Sequence, residues 1–452
     1  MLGIGGIGMS ALARYFNAMG KTVAGYDRTP TSLTDELQKE GIEIHFEDDL
    51  KLIPEFVENE NPSSLLIIYT PAIPADHEEF NYLQNKFTLH KRSEVLGYIT
   101  KNTNTIAIAG THGKTTTSSI VTHLLKSNGI NCSAFLGGIA KNYDTNFLLG
   151  EVAKPGHVTI VEADEFDRSF LTLFPHIAVI SSMDADHLDI YGDHKTLIDC
   201  YNQFASQVNK DGLLIHKKGL PITANSSNIL QYAIDEDAQV MAKNIRIENR
   251  EYVFDYSGPG HAIKGLQLGL PGRHNVENAV AAITVALQFK LSYQQIASAL
   301  KSYTGVKRRF DFRIKTGDVV YIDDYAHHPA EIEAAIQSVK ELYPDRTITV
   351  VFQPHLYSRT RDFADGFARS LSLPNETILL PVYPARELPI KGVDSGMILT
   401  KLTNQNMLCN KEELCEILKN KNIEVVMTLG AGDIDQLVEP ITNMLSEKFN
   451  LN

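Results

Sequence analysis

Short apolar runs alternate with amphipathic stretches along most of this chain, and their order is informative. Over residues 1 to about 100, the runs "KTVAGYD" and "LLIIYT" lie between helical stretches, which predicts a small α/β lobe. The polar passage "TKNTN" from Thr100 then gives way to "TIAIAG", the first expected boundary. A second lobe, 101–305, opens strand, loop, helix and continues through "VTIVEAD" and "HIAVISSM" to a β-rich stretch around "EYVFDY". A helix with Val276, Ala279, Val280, Ile283 and Leu287 at three- and four-residue spacing closes it. The third lobe, 306–452, sets the strands "VVYIDDY", "TITVVFQ", "TILLPVY" and "IEVVMTLGAGD" between helices such as "AEIEAAIQSVKEL". Strands alternating with helices imply mainly parallel, doubly wound sheets, whose ligands sit beyond the carboxyl ends of strands.

Composition narrows the class. A chain of 452 residues exceeds one ordinary core, so two to four domains are expected. No apolar run reaches the ~18–20 residues of a membrane span, and the first residues lack the pattern of a signal peptide, so a cytoplasmic protein without a membrane partner is expected. The formal charge of -13 argues against a broad nucleic-acid-binding face. Cys132, Cys200, Cys409 and Cys415 form no C-x-x-C pair and read as reduced, mostly buried thiols.

Two glycine-rich stretches carry candidate chemistry. "GIGGIG", directly after Met1 and Leu2, fits G-x-G-x-x-G through Gly3, Gly5 and Gly8, and Asp27 stands where an acidic ribose ligand is expected. Taken literally, this is a nicotinamide enzyme, but only two residues precede the glycines where a buried strand belongs. The stronger signal is "GTHGKTTT", Gly110 to Thr117, between a strand and a helix. There Gly110, Thr111, Gly113 and Thr116 frame a phosphate loop, Lys114 supplies a mobile cation and Thr115 offers a hydroxyl to Mg²⁺. It is a variant form, with Ile108 where the generic pattern has glycine.

A nucleoside triphosphate needs a metal, and two acidic strand ends follow. "VEADEFD" carries Glu162, Asp164, Glu165 and Asp167; "MDADHLD" carries Asp184, Asp186, His187 and Asp189. Glu162 and His187 are the expected Mg²⁺ ligands. For any one of these acids alone, a solvated loop position is the competing reading.

The motifs "GTHGKTTT", "EADE", "DHLD", "GRHNVENA", "RRFD", "DDYAHHP" and "FQPHLYSRTRDF" occur in the order they have in the Mur ligases. Over essentially its whole length the chain resembles that family, most nearly its alanine-adding branch. The resemblance implies three α/β domains: a Rossmann-like N-terminal domain for a UDP-sugar, a central phosphate-loop ATPase domain, and a C-terminal Rossmann-like doubly wound domain. It further implies ATP and Mg²⁺ as cofactors, and UDP-N-acetylmuramate and L-alanine as substrates. Lys114 would contact the ATP phosphates, and Thr115, Glu162 and His187 the metal. His274, Asn275 and Asn278 would lie near the adenine, with Asn275 and Asn278 on one helical face. Arg309 and Asp324 would reach the nucleotide from the third domain; a surface pair with Arg308 and a helix cap are the competing readings.

A carboxylate is a poor electrophile, so the lactyl carboxylate would first take the γ-phosphate, and the alanine amine would then attack the acyl phosphate. Closing the three domains would shield that intermediate from water. For the amino acid, His328, His355, Tyr357, Arg359 and Arg361 are the candidates, an arginine for the carboxylate and a histidine for the ammonium proton. Of His327 and His328, at least one is expected to pack or cap. The helix 196–208, "TLIDCYNQFASQV", lacks the lysine that several sibling ligases carbamylate, which leaves a second metal site unassigned. A ligase adding a whole tripeptide to the same sugar is the nearest alternative, a nucleotide-dependent binding protein a more distant one. Monomer and homodimer stay equally open.

Under the resemblance, "GIGGIG" holds a UDP-sugar diphosphate rather than NAD. Gly5, Gly6, Ile7, Gly8, Met9 and Ser10 would line it, with Asp27, Thr70, Pro71 and Ala72 nearby. Family members usually have several apolar residues ahead of these glycines. The first sheet is therefore predicted to lack part of its central strand, and an added apolar upstream segment should raise the melting temperature. An extended form that melts no higher would overturn this expectation.

Overall fold

In the computed structural model, which describes every residue except 102, 187, 225–227, 386 and 452, the expected alternation becomes three arrangements of strands, the second and third mixed by antiparallel pairs. The first is built from β1 (Ala24–Tyr26), β2 (Glu43–His45), β3 (Ile67–Tyr69) and β4 (Leu89–Lys91). β1 pairs with β2 and β3 with β4, both parallel. Leu2 joins the two pairs as an isolated bridge to Tyr26 and Tyr69. Its N–H donates to Ile68 O (2.8 Å) and its carbonyl accepts from Thr70 N–H (3.2 Å). Beside this bridge, between β1 and β3, lies a cavity of about 300 Å³ lined by Val23, Ala24, Leu66 and Ile67 among others.

The second arrangement comprises β5 (Asn104–Ala109), β6 (Cys132–Ala140), β7 (Thr145–Leu148), β8 (Val158–Glu162), β9 (Ile177–Ile180), β10 (Leu213–Lys217), β11 (Ile229–Ile234), β12 (Val240–Glu248), β13 (Glu251–Gly258) and β14 (His261–Leu268). The strand order is β14-β13-β12-β11-β10-β9-β5-β8-β6-β7. β5 lies between β8 and β9, parallel to both. Ile106 to Ala109 are fully buried, as an uninterrupted apolar run in a parallel sheet requires. The loop after β5 therefore emerges between the ends of β8 and β9, a topological switch point where ligands bind. The helix that follows, Lys114–Lys126, is buried from Thr115 to Leu125. Two of its polar residues bond to its own backbone: Ser118 Oγ donates to Thr115 O (3.1 Å) and Thr122 Oγ1 to Ser118 O (2.7 Å).

The third arrangement holds β15 (Asp311–Lys315), β16 (Val320–Asp324), β17 (Ile348–Phe352), β18 (Glu376–Leu379), β19 (Gln405–Leu408) and β20 (Val425–Leu429) in the order β15-β16-β20-β17-β18-β19. Only β15 runs antiparallel to its neighbour; the other pairings are parallel. By compactness the chain divides into two units. One comprises 1–243, 256–263 and 278–302, the other 244–255, 264–277 and 303–452. No helix among the described residues is long and apolar enough to cross a membrane. The four cysteines are free, three of them buried.

Within the first unit, one polar contact fastens the glycine-loop helix, Ile7–Ala18, to β7. Asn146, wholly buried, donates from Nδ2 to Ile7 O (2.6 Å) and Ser10 Oγ (2.9 Å) and accepts from Arg14. Arg14 also pairs with Glu36 and Glu40. Removing the amide takes the acceptor from buried Arg14 Nη1, so Asn146→Ala should cost about 1–3 kcal/mol in urea unfolding. A cost within error of zero would show that water replaces the amide.

Candidate active site

The loop between β5 and the helix Lys114–Lys126 depends on two left-handed glycines, Gly110 (φ +137°) and Gly113 (φ +82°), the latter the residue preceding the helix. Space matters as much as backbone angle. A Cβ on Gly110 would fall 2.2 Å from Ser181 Oγ, and one on Gly113 would fall 2.6 Å from Asn278 Oδ1. Two hydroxyls at the end of β9 brace the loop: His112 N–H donates to Ser182 Oγ (2.7 Å), which lies 2.9 Å from Thr111 Oγ1. Asp184 N–H donates to that threonine oxygen (3.0 Å), and Ser181 Oγ donates to Ala109 O (3.2 Å) and His112 O. Ser181 and Ser182 were not expected from the sequence. Their signal was position alone, at the end of the strand next to the one that launches the loop.

Thr115 and Glu162 meet beside this loop. Thr115 Oγ1 donates to Glu162 Oε1 (3.1 Å), and the other carboxylate oxygen accepts from Gly137 N–H (3.0 Å). A Cβ on Gly137 would come within 2.5 Å of that carboxylate, so this glycine is the room Glu162 needs. A hydroxyl and a carboxylate side by side at a helix start are hard oxygen donors of the kind Mg²⁺ takes, with phosphate and water completing the shell. These residues fit such an ion. His187, the third expected ligand, lies outside the described residues.

Lys114 is held more tightly than expected. Its Nζ donates to Gly110 O (2.7 Å) and to both carboxylate oxygens of Glu165 (2.9 and 2.8 Å), and Glu165 is itself 1% exposed. Burial alone would push the lysine down, but the carboxylates of Glu165, Asp164 and Glu162 outweigh it and hold the ammonium above its usual range. Burial raises Glu165 despite the same lysine. A protonated cation is thus held at the mouth of the loop, paired with the buried carboxylate of Glu165.

The first glycine loop presents a second helix start. Gly6 precedes the helix Ile7–Ala18, which opens without a side-chain cap, so its first N–H groups remain for an anion. Asp27 Oδ2 accepts from Gly5 N–H (2.8 Å) and Oδ1 from Thr29 N–H (3.2 Å). Thr70 abuts the loop, its Cγ2 lying 2.4 Å from where a Cβ on Gly3 would stand, while Pro71 and Ala72 are exposed beside it. Met9 and Ser10 are buried, and Ser10 N–H is spent on Gly6 O. The side chains of these two residues therefore face inward rather than toward a ligand.

The second unit carries the remaining candidates. Asp324, at the end of β16, accepts from Phe310 N–H and Ala326 N–H (both 2.7 Å). Burial pushes it up to about 6, against the pull of Arg309 and those N–H groups. Arg309 lies over the Tyr325 ring, 4.9 Å from its centroid. Asn275 Nδ2 donates to Pro271 O (2.5 Å). His328 precedes the helix Pro329–Leu342 and caps it, its Nδ1 accepting from Ala330 N–H (3.3 Å). His327 instead turns to Tyr325 O (3.0 Å) and Glu331. His355 stacks on Tyr383 and lies 3.4 Å from an Arg359 nitrogen. Arg359 is buried, whereas Arg361 is exposed and paired with Asp362. Tyr357 opens the short helix Tyr357–Asp362 between them.

Comparison with known proteins matches all three parts of the chain. Residues 1–103 match the Mur ligase family, catalytic domain; 108–286 the Mur ligase middle domain; 308–434 the Mur ligase, glutamate ligase domain. The chain is 52% identical over 451 residues to the UDP-N-acetylmuramate–L-alanine ligase of Flavobacterium psychrophilum, covering 99% of this chain and 98% of that one. It is 49% identical to the enzyme of that name from Parabacteroides distasonis, over 99% and 97% of the two chains. Among solved structures, the UDP-N-acetylmuramate-alanine ligase of Thermotoga maritima superposes with a TM-score of 0.82 at 27% identity, over 99% and 98% of the two chains. A murein peptide ligase from Psychrobacter arcticus shares the fold, with a TM-score of 0.72 at 20% identity over 98% of each chain.

Two partly buried imidazoles of the second unit give a direct check. Burial lowers His274 and His327 to about 4, below the ordinary 6.5. The neutral ring is favoured in the folded state, so its contribution is complete above pH 6.5 and is lost as pH falls toward 4. In an NMR titration both rings should stay neutral at pH 6. Either one titrating between 6 and 7 would refute the burial account for that residue.

Proposed function

The chain belongs to the Mur ligase family, and from that membership we infer that it joins L-alanine to the lactyl carboxylate of UDP-N-acetylmuramate. ATP is converted to ADP and phosphate in the reaction, which places the enzyme in peptidoglycan biosynthesis and in the cytoplasm. The observation that carries this reading is the phosphate loop with Lys114 and Thr115 beside Glu162, in a chain that matches alanine-adding ligases from end to end. Alanine addition is favoured over tripeptide addition because the relatives at about half identity bear the alanine ligase's name.

The residues divide the work as follows. Lys114 leaves Glu165 for the phosphate oxygens and neutralises charge as the lactyl carboxylate attacks the γ-phosphorus and the bond to ADP breaks. Glu162, Thr115 and His187 would hold Mg²⁺, which supplies further charge neutralisation at the phosphates. The bracing of Thr111 and His112 by Ser182 keeps the loop in place while Lys114 moves. The alanine amine then attacks the acyl carbon, phosphate leaves, and the amine loses its proton.

Other assignments follow the resemblance. Gly110, Thr111, Gly113 and Thr116 cradle phosphate; His274, Asn275 and Asn278 belong near the adenine, and Arg309 and Asp324 near the nucleotide. Gly5, Gly6 and Gly8 take the sugar diphosphate. For the alanine carboxylate, Arg359 beside His355 is a better receptor than Arg361, whose charge is already answered by Asp362 in solvent. His328 spends one ring nitrogen on its cap, and His327 is too weak a base to serve near neutral pH.

Phosphate release from ATP, with UDP-N-acetylmuramate and either L-alanine or the tripeptide, tests the function. Release is expected with L-alanine, and Lys114→Ala should lower kcat by about 10²-fold or more. Silence with L-alanine would overturn the reading, and release with tripeptide alone would transfer it to the recycling reaction. Because one methylene is worth roughly 1–3 kcal/mol, glycine should be used about 10- to 200-fold less efficiently than alanine in kcat/KM. Equal use of the two would show that the pocket does not read the methyl group.

A further inference from the structure

Between His355 and the helix Tyr357–Asp362 stands Leu356, with φ +69° and ψ 137°. That combination suits glycine and strains a leucine, and it persists only where the surroundings over-determine it. The loop after β18 supplies part of that restraint. Leu356 N–H donates to Tyr383 O (2.9 Å) and Tyr383 N–H to Pro354 O (2.8 Å), a parallel bridge on which the rings of His355 and Tyr383 stack with centroids 5.8 Å apart. On the other side, Leu356 O accepts from Thr360 N–H (3.1 Å) and Thr360 Oγ1 (2.7 Å) and so closes the first helical turn. Arg359 lies within that turn.

Leu356 offers this helix no side-chain cap. The cap comes instead from Glu387, a residue that belongs to none of the motifs above. Ser358 N–H donates to Glu387 Oε2 (2.9 Å) and Ser358 Oγ donates to Oε1, so one carboxylate takes both donors of the second helical residue. Glu387 N–H in turn donates to Pro384 O (2.9 Å), which keeps the carboxylate close to the Tyr383 bridge. The bridge therefore fixes the backbone at Leu356 and Glu387 fixes the helix beyond it. Across the strained residue, His355 Nδ1 and Arg359 Nη1 come to 3.4 Å, with Arg359 buried. A turn about either dihedral of Leu356 would swing the helix and part these two side chains.

We propose that Glu387 is a positioning residue for the amino-acid substrate: through Ser358 it holds the helix Tyr357–Asp362 at the angle that sets the Arg359 guanidinium to receive the alanine carboxylate. The proposal rests on the reading of Arg359 as that receptor. Glu387 acts through the helix and not on alanine itself, whose carboxylate its own charge would repel. Its two bonds to Ser358 hold the helix against the strain at Leu356, and the arginine is thereby placed before the substrate arrives.

Steady-state kinetics of the full chain, with each substrate varied in turn, test this. Glu387→Ala should raise KM for L-alanine by about 10- to 100-fold, and leave the KM values for ATP and UDP-N-acetylmuramate within about twofold of the parent protein's. Glu387→Gln, which keeps an acceptor for Ser358, should recover part of the loss. In an Arg359→Ala background, Glu387→Ala should add no further loss in kcat/KM for alanine, because the residue acts through that arginine. An unchanged alanine KM in Glu387→Ala, an equal rise for all three substrates, or full additivity with Arg359→Ala would overturn the assignment while leaving the reading of Arg359 intact. An unchanged alanine KM in Arg359→Ala would overturn both.

Discussion

A lysine ammonium kept charged in a nearly dry position is the constraint around which the first unit is organised. Lys114 cannot be buried alone, because an isolated charge out of water costs more than any single contact returns. Glu165 supplies the counter-charge and Gly110 O a further acceptor. That pairing demands that the end of β8 lie beside the loop leaving β5, and the parallel register of Ile108 with Glu162 delivers it. The same register places Glu162 against Thr115, and β9 on the other flank brings Ser181 and Ser182 beneath the loop. Strand order, loop conformation and charge arrangement are thus one problem with one solution.

The pairing also sets what the loop can do. A lysine fixed by a permanent partner would be structural; under the proposed function, the Glu165 carboxylate would give way to phosphate oxygens. Substitution of one anion by another keeps the ammonium compensated throughout, so the cation moves without crossing an uncompensated state. The geometry of the rest of the loop does not depend on this exchange. It is held by hydroxyl and backbone bonds to β9, which involve neither Lys114 nor Glu165.

Legibility in the sequence followed distance along the chain. The phosphate loop is contiguous, so "GTHGKTTT" between a strand and a helix could be read directly, and Glu162 followed from its place at a strand end. Ser181 and Ser182 bond to residues about 70 positions away, and Asn146 reaches Ile7 across 139 positions. No local pattern announces such partners, and a buried Asn or Ser looks like any turn residue until the sheet order is known. Strands β6, β7, β10 and β11 were likewise not singled out, because each mixes apolar residues with polar ones or glycine without strict alternation. In the second unit, neighbouring His327 and His328 could not be separated by sequence. The fold parts them by putting one at a helix cap and turning the other to Tyr325 O and Glu331.

The glycines of "GIGGIG" show that a fingerprint can be required by backbone angle and space. Gly3 needs its positive φ of 81°, whereas Gly5 and Gly8 are needed for space, the first for Asp27 and Thr34, the second for Arg92. Asp27, in the place of a ribose ligand, has each oxygen engaged by a backbone N–H, from Gly5 and from Thr29. An acid committed in this way shapes the turn that aims the helix, and is a poorer acceptor for two ribose hydroxyls than a free carboxylate would be. The pattern therefore encodes a backbone that can approach phosphate closely, which dinucleotides and UDP-sugars both require. What distinguishes the ligands lies in side chains around the loop that the pattern does not contain.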